Sequence, residues 1–382
     1  MLRRFSKASG GYNKSMENGG FAQSGPAAAA WRAFDAAANR AGEALRVIED
    51  VVRFILDDAD LTRRAKQLRH DLAAVLAGGD LPQRILLRDT PGDVGVGVEA
   101  AAALPRSNVR DLIAANAARA AQALRSLQEC ALLVCPAASG QCEQLRYRLY
   151  ALERAAVGAI RAADRFHGIR LCVLVDGRQD LPAFTRLVES LLEAGVRMLQ
   201  IRDKDLGVPA LVDRVRQALA SARRRAPEGG AIVVVNDRAD VAAAVGADGV
   251  HTGAVDLPTV LVRRVIGPGM LLGRTAHDLA EARAAVIDGA DYLGVGPCFP
   301  SATKAFASFA PAEFIGTVAR EISLPAFAIG GVTLERIDTL AALGIGRVAV
   351  ASAVTSASDP AGAAAALIER LNRLPERARP TP

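Results

Sequence analysis

The stretch that decides the fold is AIVVVNDRADVAAAVGADGVHTGAVD, residues 231–256. It opens with an apolar, β-branched run, continues through an alanine-rich segment, and returns to a short apolar run at His251. A strand, a helix and a second strand in this order predict a parallel βαβ unit. The polar residues Asn236 and Asp237 follow the first run directly, where a strand of this kind ends.

The same alternation extends over the chain after Phe166, where short β-branched runs are each followed by a longer amphipathic stretch. We expect strands at Arg170–Val175, Arg197–Ile201, Ala231–Val235, Gly249–His251, Met270–Leu272, Tyr292–Val295, Ala326–Ile329 and Arg347–Val350. Eight strands with intervening helices predict an α/β fold, a closed (β/α)8 TIM barrel, rather than an open doubly wound sheet.

The N-terminal half has apolar residues at helical spacing and almost no strand-like alternation, so it is predicted to be mainly α-helical. The predicted helices are Ala30–Leu56, Leu61–Ala77, Asn108–Val134 and Gln141–Ala163, with Asp60 and Ser107 as candidate N-caps. Arg40-x-x-x-Ala44-Leu45-Arg46 recurs 79 residues later as Arg119-x-x-x-Ala123-Leu124-Arg125. This match suggests an internal duplication, although chance identity in alanine-rich helices stays an alternative.

The chain has 382 residues, more than one domain usually needs, and two domains are expected. We assign a disordered tail to residues 1–26, a helical domain to 27–165, a barrel to 169–374 and a second tail to 375–382.

Composition excludes several classes of protein. The net charge of +6 is modest, and no Lys/Arg block is interleaved with aromatic residues, which argues against a nucleic-acid partner. Apolar runs fall far short of the ~18–20 residues of a membrane span. The five cysteines form no C-x-x-C pair and indicate reduced thiols in a cytoplasmic protein. The oligomeric state, including a homo-oligomer, is left open.

Polar residues gather where the predicted strands end, which is where barrel enzymes place their active sites. Gln200-Ile201-Arg202-Asp203-Lys204 follows the second strand, and its alternation directs Gln200, Arg202 and Lys204 to one side. Two cations and an amide on one side suit an oligophosphate, although such strand ends are often only solvated.

Two carboxylates also lie at neighbouring strand ends. Asp237 follows the third strand and Asp256 closes the loop after the fourth. Such a pair could share Mg²⁺, which keeps several waters and takes its other ligands from phosphate. The alternative is that both residues only cap the following helices.

A second anion site is predicted at the ends of the last three strands. The loop after the sixth strand is rich in hydroxyls and ends at Lys304. Gly330-Gly331 after the seventh strand and Ala351-Ser352 after the eighth match the common barrel phosphate site. One site for a metal-bound diphosphate and one for a monophosphate together indicate a transferase with a diphosphate leaving group.

With these motifs in place, residues 169–374 resemble thiamine phosphate synthase in order and spacing. The motifs are QIRDK at 200–204, ND at 236–237, HTGAVD at 251–256, GRTAH at 273–277, GPCFPSATK at 296–304 and AIGGV at 328–332. Thr275 stands where serine is commoner and Ser301 where threonine is commoner, and each keeps a hydroxyl.

The resemblance implies condensation of hydroxymethylpyrimidine diphosphate with hydroxyethylthiazole phosphate, through a pyrimidinylmethyl cation that the thiazole nitrogen traps. Arg202, Lys204 and Lys304 are expected to be catalytic and Asp237 and Asp256 to bind Mg²⁺. The substrate-binding residues are expected to be Gln200, Ile201, Arg202, Asp203, Lys204, Asn236, Thr275, Ser301, Ala302, Thr303, Lys304, Gly330, Gly331, Ala351 and Ser352. The histidines His251 and His277 are expected to brace loops rather than to transfer protons.

An alternative for the barrel is a thiazole tautomerase-like isomerase, which would keep the monophosphate site without diphosphate machinery. The basic and acidic set at the second to fourth strand ends argues against it. In that alternative the helical half would be a non-catalytic interaction module.

The helical half carries its own resemblance, through DAAANRAGEALRVIEDVVRF at 35–54, KQLRH at 66–70 and RDTPGDVG at 88–95. These resemble a domain fused to thiamine phosphate synthases and associated with hydroxymethylpyrimidine phosphate kinase activity, which implies ATP as a partner. No G-x-x-x-x-G-K-[ST] motif is present. The polar set on the first helix, Asn39, Arg46, Glu49 and Arg53, otherwise suits a solvated face. The candidates are Arg40, Arg46, Arg53, Arg69 and Arg88 for phosphate, and Asp89 and Asp93 for Mg²⁺.

Overall fold

The computed structural model describes residues 26–78, 81–95, 105–225, 230–301 and 308–375; most of both predicted tails lies outside these ranges. The N-terminal part is a bundle of helices, as expected. Helix α1 spans Pro26–Asp50 and continues as a π-helical turn over Val51–Ile55. Helix α2 spans Ala59–Leu76, a 3-10 segment covers Leu81–Leu87, and α3 and α4 span Val109–Val134 and Pro136–Arg165.

Both candidate N-caps are wrong by one or two positions. The carboxylate of Asp58, not of Asp60, accepts a hydrogen bond from the N–H of Leu61 and caps α2. The side chain of Asn108, not of Ser107, accepts from the N–H of Asp111 and caps α3. Capping requires an extended backbone at the capping residue, and Asp60 already lies inside the helix.

The rest of the described chain forms a closed barrel of parallel strands in the order β1 to β8, confirming the predicted fold class. The strands are β1 Leu171–Val175, β2 Met198–Ile201, β3 Ile232–Asn236, β4 Gly249–Thr252, β5 Leu271–Ala276, β6 Tyr292–Val295, β7 Ala326–Ile329 and β8 Val348–Val350. The helices around them are α5 Leu181–Glu193, α6 Val208–Arg225, α7 Ala239–Val245, α8 Thr259–Ile266, α9 Leu279–Asp288, α10 Ala312–Glu321, α11 Ile337–Ala342, α12 Ser352–Thr355 and α13 Pro360–Asn372. Among the helices described, none has the length and apolarity that crossing a membrane requires.

An aromatic cluster fills the barrel near the amino ends of its strands. The ring of Phe166, just after α4, lies 5.2 Å from that of Tyr292 and 5.9 Å from that of Phe327, between centroids. All three side chains are buried. Because these rings fill the barrel at the amino ends of its strands, we expect the functional site at the carboxyl ends.

Buried ion pairs join the helical bundle to the barrel. The carboxylate of Asp60, almost fully buried, contacts Arg64 of its own helix at 2.7 Å and Arg283 of α9 at 3.2 Å. Arg161 of α4 pairs with Asp291, which also pairs with Arg263 at 2.7 Å. A buried charge left without its partner is costly, so these pairs hold the two parts in one relative position.

Asp58 makes the deepest of these contacts, since its second carboxylate oxygen accepts from the N–H of Ser323, 2.7 Å away at the end of α10. Asp58→Ala is expected to reduce the free energy of unfolding by about 2–4 kcal/mol, because it removes a cap and leaves a buried N–H unpaired. Burial raises the pKa of Asp58, so the loss comes from the orphaned donors rather than from lost charge. Urea unfolding at pH 7 measures it.

Asp180→Ala is the matched control, because Asp180 caps α5 through the N–H of Ala183 but is exposed and forms no hydrogen bond with the described residues of the bundle. It should cost about 1 kcal/mol. Equal losses in the two variants would show that the Ser323 contact contributes nothing.

Candidate active site

The polar residues predicted at the strand ends are brought side by side by the barrel register. Asn236 of β3 pairs with His251 of β4, and Thr275 of β5 pairs with Gly294 of β6. Gln200 lies on β2, paired with Val234, and its side chain is buried. Residues up to 94 positions apart in sequence therefore line one mouth of the barrel.

A chain of hydrogen bonds crosses the barrel beneath this mouth. The Gln200 side chain bonds the hydroxyl of Tyr292, which lies 3.1 Å from Nδ1 of His251. Nε2 of His251 lies 2.9 Å from the hydroxyl of Thr275. Burial lowers the pKa of His251 to about 4, so the imidazole is neutral at pH 7. The chain fixes Thr275, one of the residues expected to bind substrate.

Both histidines form side-chain hydrogen bonds within the barrel domain. Both ring nitrogens of His251 are occupied within the hydrogen-bond chain. His277 is exposed, and its Nδ1 lies 3.0 Å from the carboxylate of Glu281 at the start of α9. With both ring nitrogens bonded and a pKa well below 7, His251 lacks what a general base requires.

The carboxylates of Asp237 and Asp256 meet at the mouth. Asp237 has a left-handed backbone, with φ at 61°, and its N–H donates to the carbonyl of His251 at 2.8 Å. Asp256 accepts from the N–H of Gly253 at 2.7 Å. Burial, followed by contact with Asp256, raises the pKa of Asp237 to about 6. Neither residue is the N-cap of α7 or α8, which follow Arg238 and Pro258, so the helix-cap alternative is not realised.

This carboxylate pair fits a divalent cation. Two carboxylates held together repel each other, and a bound cation would remove that repulsion. Within the described ranges no cluster of three or more His, Cys, Asp or Glu could hold a metal ion. Two protein ligands with the remaining positions left to water and phosphate is the arrangement that Mg²⁺ prefers.

Cations stand beside the carboxylates. Lys204 and Arg202 both lower the pKa of Asp237 by their charge, so the two cations lie within electrostatic range of it. Asp203, expected among the substrate-binding residues, braces the loop by accepting from the N–H groups of Gly177 at 2.9 Å and Asp205 at 2.8 Å. Burial opposes its ionisation, but these bonds leave its pKa lowered. Ile201 is buried, so only its backbone is available to a ligand.

The predicted monophosphate site has the backbone it requires. Gly330 and Gly331 have φ of 94° and 64°, and a Cβ at Gly331 would lie 2.2 Å from the carbonyl oxygen of Pro300. The N–H of Phe299 donates to the carbonyl of Gly330 at 2.9 Å, joining the two loops. Ala351 and Ser352 follow β8, the neighbour of β7, and Ser352 opens α12. Ser301 is partly buried beside this region, whereas Ala302, Thr303 and Lys304 lie outside the described residues.

Several of the N-terminal candidates are engaged in contacts within the helical part. Arg69 pairs with Glu49 at 2.7 Å, and Arg88 pairs with Asp35 at 2.5 Å. Asp89 and Asp93 each accept a backbone N–H of their own loop, from Gly92 and Gly95. Arg46 and Arg53 are exposed, while Glu49 is buried, so the expected polar face is divided. Arg40 lines a cleft between α1 and α3.

Sequence reasoning missed residues that hold the site together. The guanidinium of Arg274 donates to the hydroxyl of Thr252 at 3.2 Å and the carbonyl of Leu257 at 3.1 Å, which shapes the loop that carries Asp256. A Cβ at Gly273 would lie 2.1 Å from the ring of Tyr292. An arginine within a short strand was a usable signal, but no local pattern marks Tyr292 or Gly273.

Comparison with known proteins gives two family matches. The family described as thiamine monophosphate synthase matches residues 171–354, and the ThiD2 family matches residues 32–155. A thiamine-phosphate synthase of Rhodopirellula baltica is 38% identical over 358 residues, covering 91% of this chain and 94% of the relative. A thiamine-phosphate synthase of Synechocystis sp. is 37% identical, covering 92% of this chain and 99% of the relative. Among solved structures, a thiamine phosphate pyrophosphorylase from Pyrococcus furiosus is 29% identical, covers 54% of this chain and 97% of its own, and has a TM-score of 0.48.

Proposed function

The chain belongs to the thiamine-phosphate synthase family, and we propose that the transfer takes place at the mouth of its barrel through the residues described above. The enzyme is a transferase that joins hydroxymethylpyrimidine diphosphate to hydroxyethylthiazole phosphate and releases diphosphate. The observation that carries the assignment of the site is the pair Asp237 and Asp256 beside Arg202 and Lys204. A barrel that only isomerised a monophosphate would have no use for this set.

Asp237 and Asp256 would hold Mg²⁺, which neutralises part of the charge on the diphosphate when bound. Arg202, Lys204 and Lys304 stabilise the negative charge that develops on the diphosphate as the carbon–oxygen bond breaks. The hydroxyl of Thr275, fixed by neutral His251, and the amides of Gln200 and Asn236 orient the pyrimidine diphosphate. The thiazole nitrogen then forms the new bond, so no protein nucleophile is required.

The two anion sites are distinguishable by kinetics. Lys304→Ala is expected to lower kcat by about 10²–10³, because it removes charge stabilisation that strengthens in the transition state. Ser352→Ala is expected to raise KM for the thiazole phosphate by about tenfold with little change in kcat, because it removes one hydrogen bond to a bound phosphate. Steady-state kinetics with each substrate varied measures both. A Lys304→Ala variant altered only in the thiazole KM would mean that the two sites are reversed.

Metal affinity should depend on pH through Asp237. Because its pKa is raised to about 6, the metal-free protein gains stability from protonated Asp237 at low pH and loses it as pH rises through 6. A proton and Mg²⁺ compete for this carboxylate, so Mg²⁺ affinity should fall about tenfold per pH unit below 6. The increase in Tm caused by Mg²⁺ and diphosphate, measured at pH 8 and pH 5, reports it. Asp237→Asn controls for titration of the diphosphate, and an equal Mg²⁺ effect at both pH values in the wild type would contradict the metal assignment.

For the helical part we propose phosphorylation of hydroxymethylpyrimidine phosphate with ATP, which would supply the diphosphate substrate to the barrel. The match to the ThiD2 family over residues 32–155 supports this proposal. The ion pairs between bundle and barrel would keep the part proposed to produce the diphosphate against the barrel that consumes it. ATP consumption by the intact chain that requires the pyrimidine monophosphate tests it. A non-catalytic interaction module would consume none.

A further inference from the structure

A cleft of about 670 Å³ lies between α1 and α3, away from the barrel mouth. Each lining residue on α1 has an equivalent on α3 that lies 79 positions later, the offset of the suspected repeat. Arg40 corresponds to Arg119, and Ala44 corresponds to Ala123. The cleft therefore lies where the two halves of the suspected duplication face each other. Its volume falls within the ~300–1,000 Å³ of small-molecule sites.

Arg40 and Arg119 are the two cations of the cleft. Both are exposed, and within the described ranges neither forms a hydrogen bond or ion pair with another residue. Arg69 and Arg88, by contrast, are already paired with carboxylates. Two guanidinium groups with unused donors facing one cavity suit a phosphate, which guanidinium binds through paired hydrogen bonds.

The other pairs differ between the two halves. Where α1 has Ala37, α3 has Asn116, and where α1 has Glu43, α3 has Gln122. Asn116 is 4% exposed, and its amide nitrogen donates to the carbonyl of Leu112 at 2.8 Å. Its Oδ1 accepts no hydrogen bond from the described part of the chain. The cleft thus adds one carboxylate and two amides to its two cations.

We propose that this cleft binds a phosphorylated aminopyrimidine, with Arg40 and Arg119 on the phosphate and Glu43, Asn116 and Gln122 on the ring. An aminopyrimidine presents an amine donor beside a ring nitrogen acceptor, which a carboxylate and an amide N–H complement. The inference rests on the proposed kinase function for its biological meaning. Both a hydroxymethylpyrimidine phosphate and the adenine of a nucleotide carry this chemistry.

Calorimetric titration of the intact chain tests the proposal, with thiamine phosphate present to fill the barrel. The two probes are hydroxymethylpyrimidine monophosphate and AMP. Arg40→Ala and Arg119→Ala should each weaken binding of at least one probe about tenfold, and the double variant about 100-fold. Glu43→Gln should weaken the same probe but not inorganic phosphate. Whichever probe is affected identifies the source of the aminopyrimidine.

Arg125→Ala is the matched control, because Arg125 lies on α3 outside the cleft, exposed and paired with Glu129 at 2.6 Å. It should bind both probes as the wild type does, and all variants should keep the barrel's condensation rate from the pyrimidine diphosphate. Unchanged binding of both probes to Arg40→Ala/Arg119→Ala would overturn the site, even if ATP were consumed. If the variants lost probe binding but the wild type consumed no ATP, the binding site would be supported and the kinase activity would be contradicted.

Discussion

Replacing Asp237 and Asp256 together by asparagine is expected to lower the turnover of the condensation about 10³-fold or more while leaving the fold intact. Asparagine keeps the size of each side chain but removes both charges that would hold Mg²⁺. The diphosphate would then leave with its charge opposed only by Arg202, Lys204 and Lys304. The rate of thiamine phosphate formation at saturating substrate and Mg²⁺ measures the effect.

The metal-free stability of this double variant provides an independent check. Burial and mutual contact raise the pKa of Asp237, so ionising the pair costs stability at neutral pH. Its Tm without Mg²⁺ should therefore equal or exceed that of the wild type at pH 8. Asp240→Asn is the control, since Asp240 is exposed on α7 and paired with Arg238. Undiminished turnover in the double variant would remove the metal assignment.

Gly331→Ala is expected to lower kcat/KM for the thiazole phosphate about 100-fold, because a displacement of the order of 1 Å in a binding loop has that effect. A Cβ at residue 331 would lie 2.2 Å from the carbonyl oxygen of Pro300 and 2.6 Å from that of Phe299. With φ at 64°, the backbone is also unfavourable for alanine. The loop that leads to Ser301 would have to move away from the predicted phosphate site.

Gly346→Ala separates this effect from a general cost of replacing glycine. Gly346 precedes β8, and a Cβ there would meet nothing within 4 Å. Its kcat/KM should match that of the wild type. If Gly331→Ala were equally active, the backbone at residues 330–331 would not be part of the thiazole phosphate site.

The strands of the barrel were predictable because most of them are short buried apolar runs. The predicted and observed bounds of β6 and β7 coincide, Tyr292–Val295 and Ala326–Ile329. β5 was predicted too short, as Met270–Leu272 instead of Leu271–Ala276, because its second half is Gly-Arg-Thr-Ala. These last four residues include Arg274 and Thr275. The apolar pattern therefore did not predict the part of the strand whose side chains contribute to the site.

The contacts within the site were less predictable than its residues. The resemblance named Asp237, Asp256 and Thr275, but the hydrogen-bond chain from Gln200 through Tyr292 and His251 to Thr275 joins four strands by side chains alone. The bond from Ser323 to Asp58 spans 265 positions. Local spacing contains no signal for such pairs, because they depend on how the strands and helices pack.

If the helical part produces the diphosphate that the barrel consumes, the intact chain forms thiamine phosphate from the pyrimidine monophosphate. The decisive experiment supplies the intact chain with hydroxymethylpyrimidine monophosphate, Mg-ATP and hydroxyethylthiazole phosphate, and measures thiamine phosphate. We predict that thiamine phosphate forms from the monophosphate only when ATP is present. From hydroxymethylpyrimidine diphosphate it should form without ATP. Product from the diphosphate alone would contradict the kinase, and no product from either substrate would contradict the account of the barrel.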